Sequence, residues 1–301
     1  MTCLGRVTVP PPANRRVYSR VRLNLVSSTS MPDLLGALHV DPVEPAAAYL
    51  GGKRNLAKRL VRILDSQKHD TYAEPFVGMG GVFLRRRIKR PCEVINDWSQ
   101  DVSTFYRVVQ RHYTAFLDML RFQLTTRREF ERLQATDPST LTDLERAARF
   151  LYLQSCAFGG KVDGRAFGVS PGHGGAFNVL TIASRLEALH ERLAGVVIER
   201  LTWSDFIDRY DRPETLFYLD PPYFGGENDY GKGMFERADF VRMAQQLAGI
   251  KGRFVLSIND VPEIREAFAA FALQEVSLKY GVAKGIATDA RELIIRGGAT
   301  D

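Results

Sequence analysis

The chain has 301 residues, 45% of them hydrophobic, enough for one large core and a smaller appended domain. No run reaches the roughly 18 apolar residues of a membrane span, so no membrane partner is expected. Three scattered cysteines (Cys3, Cys92, Cys156) offer neither a disulfide framework nor zinc spacing. The net charge of +6 owes much to Arg6, Arg15, Arg16, Arg20 and Arg22, which lie in an acid-free start; the rest of the chain is nearly balanced, and its charge alone does not mark a nucleic-acid binder.

The Arg-rich start reads as a transit-peptide-like or disordered extension, with Met31 an alternative start, and residues 1–40 are left outside the expected fold. Residues 53–66 then read as an amphipathic helix with Leu56, Leu60, Ile63 and Leu64 on one face. Tyr72 to Phe76 is a short strand entering Gly78-Met79-Gly80-Gly81. A helix is expected through Val82, Phe83 and Leu84, with Arg85 to Arg90 as its solvated C-terminal end, stopped by Pro91. Cys92 to Asn96 is the next strand, with Asp97 at its tip.

Residues 99–155 look helical, with one break near Asp137-Pro138-Ser139. Residues 159–177, glycine-rich, read as a loop or hairpin. A helix follows over 181–194, and strands over 196–201, 216–219 and 254–257, with a helix over 236–249 between the last two. Two more strands are expected near 273–279 and 292–296. Strands alternating with helices give an α/β fold with a mostly parallel sheet. The helical stretch 105–180 interrupts that alternation. It is expected as an inserted target-recognition subdomain, leaving 41–104 and 181–301 as the catalytic domain.

Two constellations carry the chemistry. In Glu74-Pro75-Phe76-Val77-Gly78-Met79-Gly80-Gly81, a strand runs into a glycine turn where backbone approaches a nucleotide-like ligand; Phe76, Gly78 and Gly80 are candidate contacts. Asp97 can accept ribose hydroxyls. By itself this pattern fits a nicotinamide dinucleotide as well as S-adenosylmethionine.

The second is Asp220-Pro221-Pro222-Tyr223, after the apolar strand Leu216-Phe217-Tyr218-Leu219. The prolines stiffen the turn and remove two donors. An aromatic amino group is a poor nucleophile because its lone pair is delocalised. Asp220 and the Pro221 carbonyl can each accept one amino hydrogen, turning the nitrogen tetrahedral, while Tyr223 stacks on the base. Two weaker candidates join them. Tyr49 and Lys53 flank a Gly-Gly turn, where Lys53 can neutralise a carboxylate and Tyr49 can pack on the donor. Asp205, in Trp203-Ser204-Asp205-Phe206, can meet the donor's adenine or cap a helix.

The order Gly-Gly-Lys, EPFVGMGG, Asp97, a long variable segment and DPPY resembles the Dam-type DNA adenine methyltransferases over about residues 46–296. The resemblance implies a seven-stranded Rossmann-like sheet and S-adenosylmethionine as co-substrate. It implies that Tyr49, Lys53, Asp97 and Asp220 contact the donor, with Asp220 and Tyr223 also at the target adenine of double-stranded DNA. The stretch 158–179 departs from the Asn-Gly-rich hairpin of that family, so no recognised sequence is carried over. A bacterial or phage-encoded protein acting in the cytoplasm is expected, with no obligate protein partner.

Arg121, Arg127, Arg128, Lys161 and Arg165 are the candidate DNA contacts. Pro91-Cys92 looks like the dipeptide of carbon-5 cytosine methyltransferases, but Cys92 opens a strand far from the donor, and no covalent intermediate is expected. The histidines show no ligand spacing, and no metal is expected. The same chemistry on the amino group of cytosine in DNA, or of adenine in RNA, is the nearest alternative. A nicotinamide-dependent oxidoreductase leaves DPPY unexplained, and a DNA-binding protein without catalysis leaves Asp220, Tyr223, Asp97 and Lys53 intact without purpose. A flipped-out adenine is the expected substrate. Residues 224–233 are expected as a lid.

Overall fold

A computed structural model describes residues 37–51, 53, 56–169, 175–229, 231, 233–281 and 287–298; at 278–281 and 287–290 only the backbone is described. Nearly all of the expected leader therefore lies outside the described residues.

The strand pattern yields one seven-stranded sheet. Its strands are β1 (Thr71–Glu74), β2 (Cys92–Asn96), β3 (Val197–Glu199), β4 (Thr215–Leu219), β5 (Arg253–Asn259), β6 (Ala272–Gly281) and β7 (Ala287–Gly298). The order is β3-β2-β1-β4-β5-β7-β6. The first five are parallel; β7 runs antiparallel to both β5 and β6. The order reverses between β1 and β4. In open α/β sheets, that switch point at the carboxyl ends of the strands is where ligands bind.

Strands covered on both faces read as continuous apolar runs, and β4 is buried at all five positions. Alternate residues feed two cores. Tyr72, Ile95, Tyr218 and Ile294 face one, with Leu60, Leu64 and Phe83. Ala73, Val94, Phe217 and Leu293 face the other, with Phe206 and Phe240.

The expected helix at 53–66 is α1, Ala57–Asp65, which buries Ala57, Leu60, Val61 and Leu64. The helical insertion comprises α2 (Gln100–Arg111), α3 (Tyr113–Leu120), α4 (Arg127–Ala135) and α5 (Asp143–Cys156). It breaks more often than expected, at His112 and across 121–126 as well as at Pro138–Thr140. Two of the new starts have a local cause: Thr126 and Thr142 accept the N3 amides of α4 and α5, the latter in a capping box. Phe105, Phe116 and Phe150 join the same core as Leu60 and Phe83, so the insertion packs on the sheet's own apolar face. Then come α6 (Val179–Arg192), α7 (Trp203–Tyr210), α8 (Arg237–Ala248) and α9 (Pro262–Ala267). Residues 157–169 form a loop closed by one bridge, Ala157 to Phe167.

Two expectations are corrected. The basic run is not a solvated helix end. Only Phe83–Arg85 turn helically, and Ile88–Lys89 form a short strand with Leu38–His39. Arg86 is buried: it donates to Glu93 Oε1 at 2.7 Å and lies 3.8 Å from the Tyr72 ring centroid. Arg192 of α6 donates to both Glu93 oxygens, at 2.5 and 3.0 Å. A glutamate inside a covered strand needs such partners, and it takes one from the run. The pairing of Leu38–His39 is the second correction, because the fold already includes residues assigned to the leader.

Candidate active site

The C-terminal strand ends converge on a cavity of about 470 Å³. Tyr49, Lys53, Glu74, Phe76, Gly78, Asp97, Asp220 and Pro222 are among its lining residues. Of the candidate donor contacts, Gly80 and Asp205 are not among them.

The glycine turn explains its own composition. Gly78 has φ +50° and a Cβ there would lie 2.8 Å from the Tyr49 ring, so Tyr49 closes over bare backbone. Gly80, at φ +76°, faces away: a Cβ would meet Leu84 and the Tyr106 hydroxyl, both at 2.8 Å. Its need is packing against the following turn. The Gly78 amide donates to Asp97 Oδ2 and the Ser99 amide to Oδ1, each at 2.9 Å. The strand-end carboxylate is therefore fixed with a lone pair left on each oxygen. Burial pushes the Asp97 carboxyl up to about 6, against these two amides, which lower it.

Asp220 lies at the end of β4. Burial pushes its carboxyl up to about 6, and the Lys53 ammonium at 3.0 Å opposes that. Lys53 is buried and fully engaged. It donates to the Tyr223 hydroxyl at 2.6 Å, lies 4.2 Å from that ring's centroid, and reaches Glu292 Oε2 on β7 at 3.4 Å. Ser257 of β5 donates to Asp220 Oδ1 at 3.3 Å, and its hydroxyl is 2.8 Å from that of Tyr218. The proline turn is also clamped from β5: Asn259 accepts the Phe224 amide at 2.9 Å and donates to the Phe224 carbonyl at 3.0 Å. Beneath the cavity, Tyr72 donates to Glu74 at 2.5 Å, and burial raises the Glu74 carboxyl well above the usual range.

With a strand-end carboxylate on either side of the switch point and a stiff proline turn at the mouth, the chain's family can be tested directly. The profile described as D12 class N6 adenine-specific DNA methyltransferase matches residues 49–282. The chain belongs to that family. It is an adenine-specific DNA methyltransferase whose substrate is DNA, with S-adenosylmethionine as co-substrate. Curated relatives align over most of the chain. The type II methyltransferase M.CviBI of Paramecium bursaria Chlorella virus NC1A is 23% identical over 242 residues, covering 79% of this chain and 91% of the viral protein. M1.LlaDCHI of Lactococcus lactis subsp. cremoris, also named a type II methyltransferase, is 25% identical over 254 residues, covering 78% and 87%. Among solved structures, a ribosomal protein L11 methylase of Lactobacillus delbrueckii subsp. bulgaricus aligns over 85% of this chain and 84% of its own, with TM-score 0.35 and 11% identity.

The methyltransferase keeps its other candidate residues elsewhere. Asp205 sits in the first turn of α7, where its amide and carboxylate both bond the Thr202 hydroxyl in an exposed cap. Its neighbours Trp203 and Ser204 line a groove that shares Phe76, Trp98 and Met234 with the cavity wall. Arg121, Arg127, Arg128 and Lys161 are exposed. Arg165 is folded back, donating to Gln154 Oε1 at 3.3 Å and to the Lys161 carbonyl at 3.2 Å. Cys92 pairs with Thr71 at the opposite strand ends from Asp97 and Asp220. Of residues 224–233, Tyr230 and Lys232 lie outside the described residues; the neighbouring Met234 and Phe235 line the cavity.

Sequence reasoning missed Arg85 and Arg185, which add positive charge to the cavity wall, and Ser257, Asn259 and Glu292. The signal for the last three was available: each is a polar residue in or at the end of an apolar strand near the carboxyl edge of the sheet. Among the described residues, no cluster of three His, Cys, Asp or Glu is arranged to hold a metal ion, and no helix is long and apolar enough to cross a membrane.

Proposed function

We propose that Asp220, Pro221 and Tyr223 form the catalytic turn that receives a flipped-out adenine of double-stranded DNA, and that the cavity lined by Tyr49, Phe76, Gly78 and Asp97 holds S-adenosylmethionine. The observation that carries this reading is the shared cavity: Asp97 and Asp220 both line it, and Lys53 braces the second. The residues fit the donor. About 470 Å³ is in the range of small-molecule sites. Asp97 keeps one acceptor lone pair per oxygen for vicinal hydroxyls, and Tyr49 covers the turn that a nucleoside would approach.

S-adenosylmethionine supplies an activated methyl group. The protein's part is then positioning and charge placement. Asp220 accepts one amino hydrogen and the Pro221 carbonyl the other, which localises the nitrogen lone pair. Tyr223, held at its hydroxyl by Lys53, offers its ring to the base. Lys53 serves Asp220 and Tyr223, so its role differs from a simple partner of the donor's carboxylate; Arg85 and Arg185 are the other cations on the wall.

The insertion spanning roughly 105–180 is proposed to hold the DNA backbone through Arg121, Arg127, Arg128 and Lys161. The type II relatives support a place in a restriction–modification pair, acting in the cytoplasm of a bacterium or of a phage-infected cell. The test is transfer of labelled methyl groups to duplex DNA, followed by nucleoside mass analysis. Asp220→Ala should abolish N6-methyladenine formation while S-adenosylmethionine binding stays measurable. Full transfer by that variant would refute the assignment. With 2-aminopurine at the target position, fluorescence should rise on binding as the base leaves the stack.

A further inference from the structure

Lys53 stands between two carboxylates, and a neutral pair would need only one. Asp220 lies at 3.0 Å and Glu292 at 3.4 Å, with the Lys53 and Glu292 side chains 1% exposed and that of Asp220 21% exposed. Glu292 heads the run Leu293-Ile294-Ile295, which is buried on both faces of β7, and it is in register with Asn259 of β5. A packed apolar side chain there would avoid the desolvation of a buried carboxylate, so stability alone is a poor reason for a glutamate at this position.

The consequence is geometric. An ammonium has three hydrogens, and the described partners of Lys53 are Asp220, Glu292 and the Tyr223 hydroxyl. Without Glu292 the cation would settle more fully on Asp220. That would occupy the acceptor capacity Asp220 needs for an amino group and weaken it as a base. We propose that Glu292 is a positioning residue for methyl transfer, dividing the Lys53 ammonium so that Asp220 keeps a free and sufficiently basic oxygen for the adenine amino group. This rests on the assignment of Asp220 as that acceptor.

The sign of the effect on Asp220 follows from its surroundings. Lys53 precedes α1, Glu74 ends β1, Tyr218 lies on β4, Ser257 on β5 and Glu292 on β7. Glu292 raises the Asp220 carboxyl and Lys53 lowers it. Glu292→Gln removes the first influence and strengthens the second. Both changes favour the ionised form.

The test is the pH dependence of methyl transfer by the full chain on duplex DNA. Glu292→Gln should lower kcat by about tenfold or more, move the acid limb of the profile down by about half a pH unit or more, and leave S-adenosylmethionine binding within about threefold. In a Lys53→Met background the same substitution should change kcat by less than about threefold, because residues acting as a unit are not additive. Glu292→Asp keeps the charge and should fall between the two. If Glu292→Gln fails to fold, the Glu292→Asp profile and its dependence on Lys53 carry the same comparison. An unmoved acid limb, or an equal loss of kcat with and without Lys53, would overturn the proposal and leave Glu292 a structural residue. Transfer retained by Asp220→Ala would instead defeat the underlying reading of Asp220.

Discussion

The buried Lys53 ammonium lies 3.0 Å from the partly exposed Asp220 carboxylate. Two groups far apart in the chain thus share one site, and the cation acts on the protonation of Asp220. Burial pushes the Asp220 carboxyl up to about 6 even with Lys53 lowering it. Lys53→Met should therefore raise it further. The acid limb of methyl transfer should move up in pH, opposite to its movement in Glu292→Gln, and kcat at neutral pH should fall by about a hundredfold. Lys53→Arg should not restore it, because a planar fork does not fit a buried point contact shared by three acceptors. A limb that stayed near 6 in Lys53→Met would show that the cation does not act through Asp220.

The two glycines of the turn should separate in function. Gly78→Ala strains a backbone at φ +50° and drives a methyl group toward the Tyr49 ring. It should weaken S-adenosylmethionine binding by tenfold or more, on the order of 1.4 kcal/mol, because it displaces the ring that covers the proposed donor cavity. Gly80→Ala, at φ +76°, collides instead with Leu84 and Tyr106 and should cost stability, about 1–3 kcal/mol, before it costs affinity. Calorimetric titration and urea melts of both variants would separate these effects. Equal losses of affinity at equal stability would mean that Gly80 also serves the ligand.

Much of this site could be read from strand-end positions. Asp97 and Asp220 each follow a short apolar run, and a residue just past a parallel strand must emerge at the carboxyl edge of the sheet. What could not be read depended on direction or on distant partners. Gly78 and Gly80 look alike in sequence, and only the direction each Cα faces separates ligand approach from packing. Arg85 to Arg90 resembles a solvated helix end, yet Arg86 is claimed by Glu93, which Arg192 also holds. Lys53 and Tyr223 were each legible as site residues, but their contact was not, and neither was Glu292, which comes from the far end of the chain.

Away from the cavity, His69 should make the fold acid-labile. Burial, and then the Arg86 charge, lower its imidazole to about 3. The ring contacts the Gln67 carbonyl at 2.7 Å and Arg86 Nη2 at 3.3 Å, as a neutral imidazole can. The unfolded chain protonates near 6.5 and the folded one does not, so stability present above 6.5 is lost as pH falls toward 3. The slope is at most about 1.4 kcal/mol per pH unit. Asp97 and Asp220 act oppositely: their raised carboxyls contribute stability at low pH that is lost as pH rises from 3.8 to about 6. Between pH 6 and 4 the contributions oppose each other. His69→Gln removes one of them, so its stability should fall less steeply on acidification than that of the unaltered chain. Parallel curves for the two proteins would refute the assignment.

The last expectation concerns the DNA. Arg121, Arg127, Arg128 and Lys161 are exposed, and a cation that meets a phosphate releases a counterion. Replacing any one of them by Ala should weaken binding to all duplexes alike and flatten the slope of log affinity against log salt by about 0.9. Arg165 should behave differently, because its guanidinium is already spent on Gln154 and on the Lys161 carbonyl. Gln154 also donates to the carbonyls of Ala48 and Gly160, beside Tyr49. Arg165→Ala should therefore leave the salt slope intact and loosen the loop over the proposed donor cavity, raising the KM for S-adenosylmethionine. A flattened slope in that variant would show that Arg165 leaves its intramolecular partners to meet DNA.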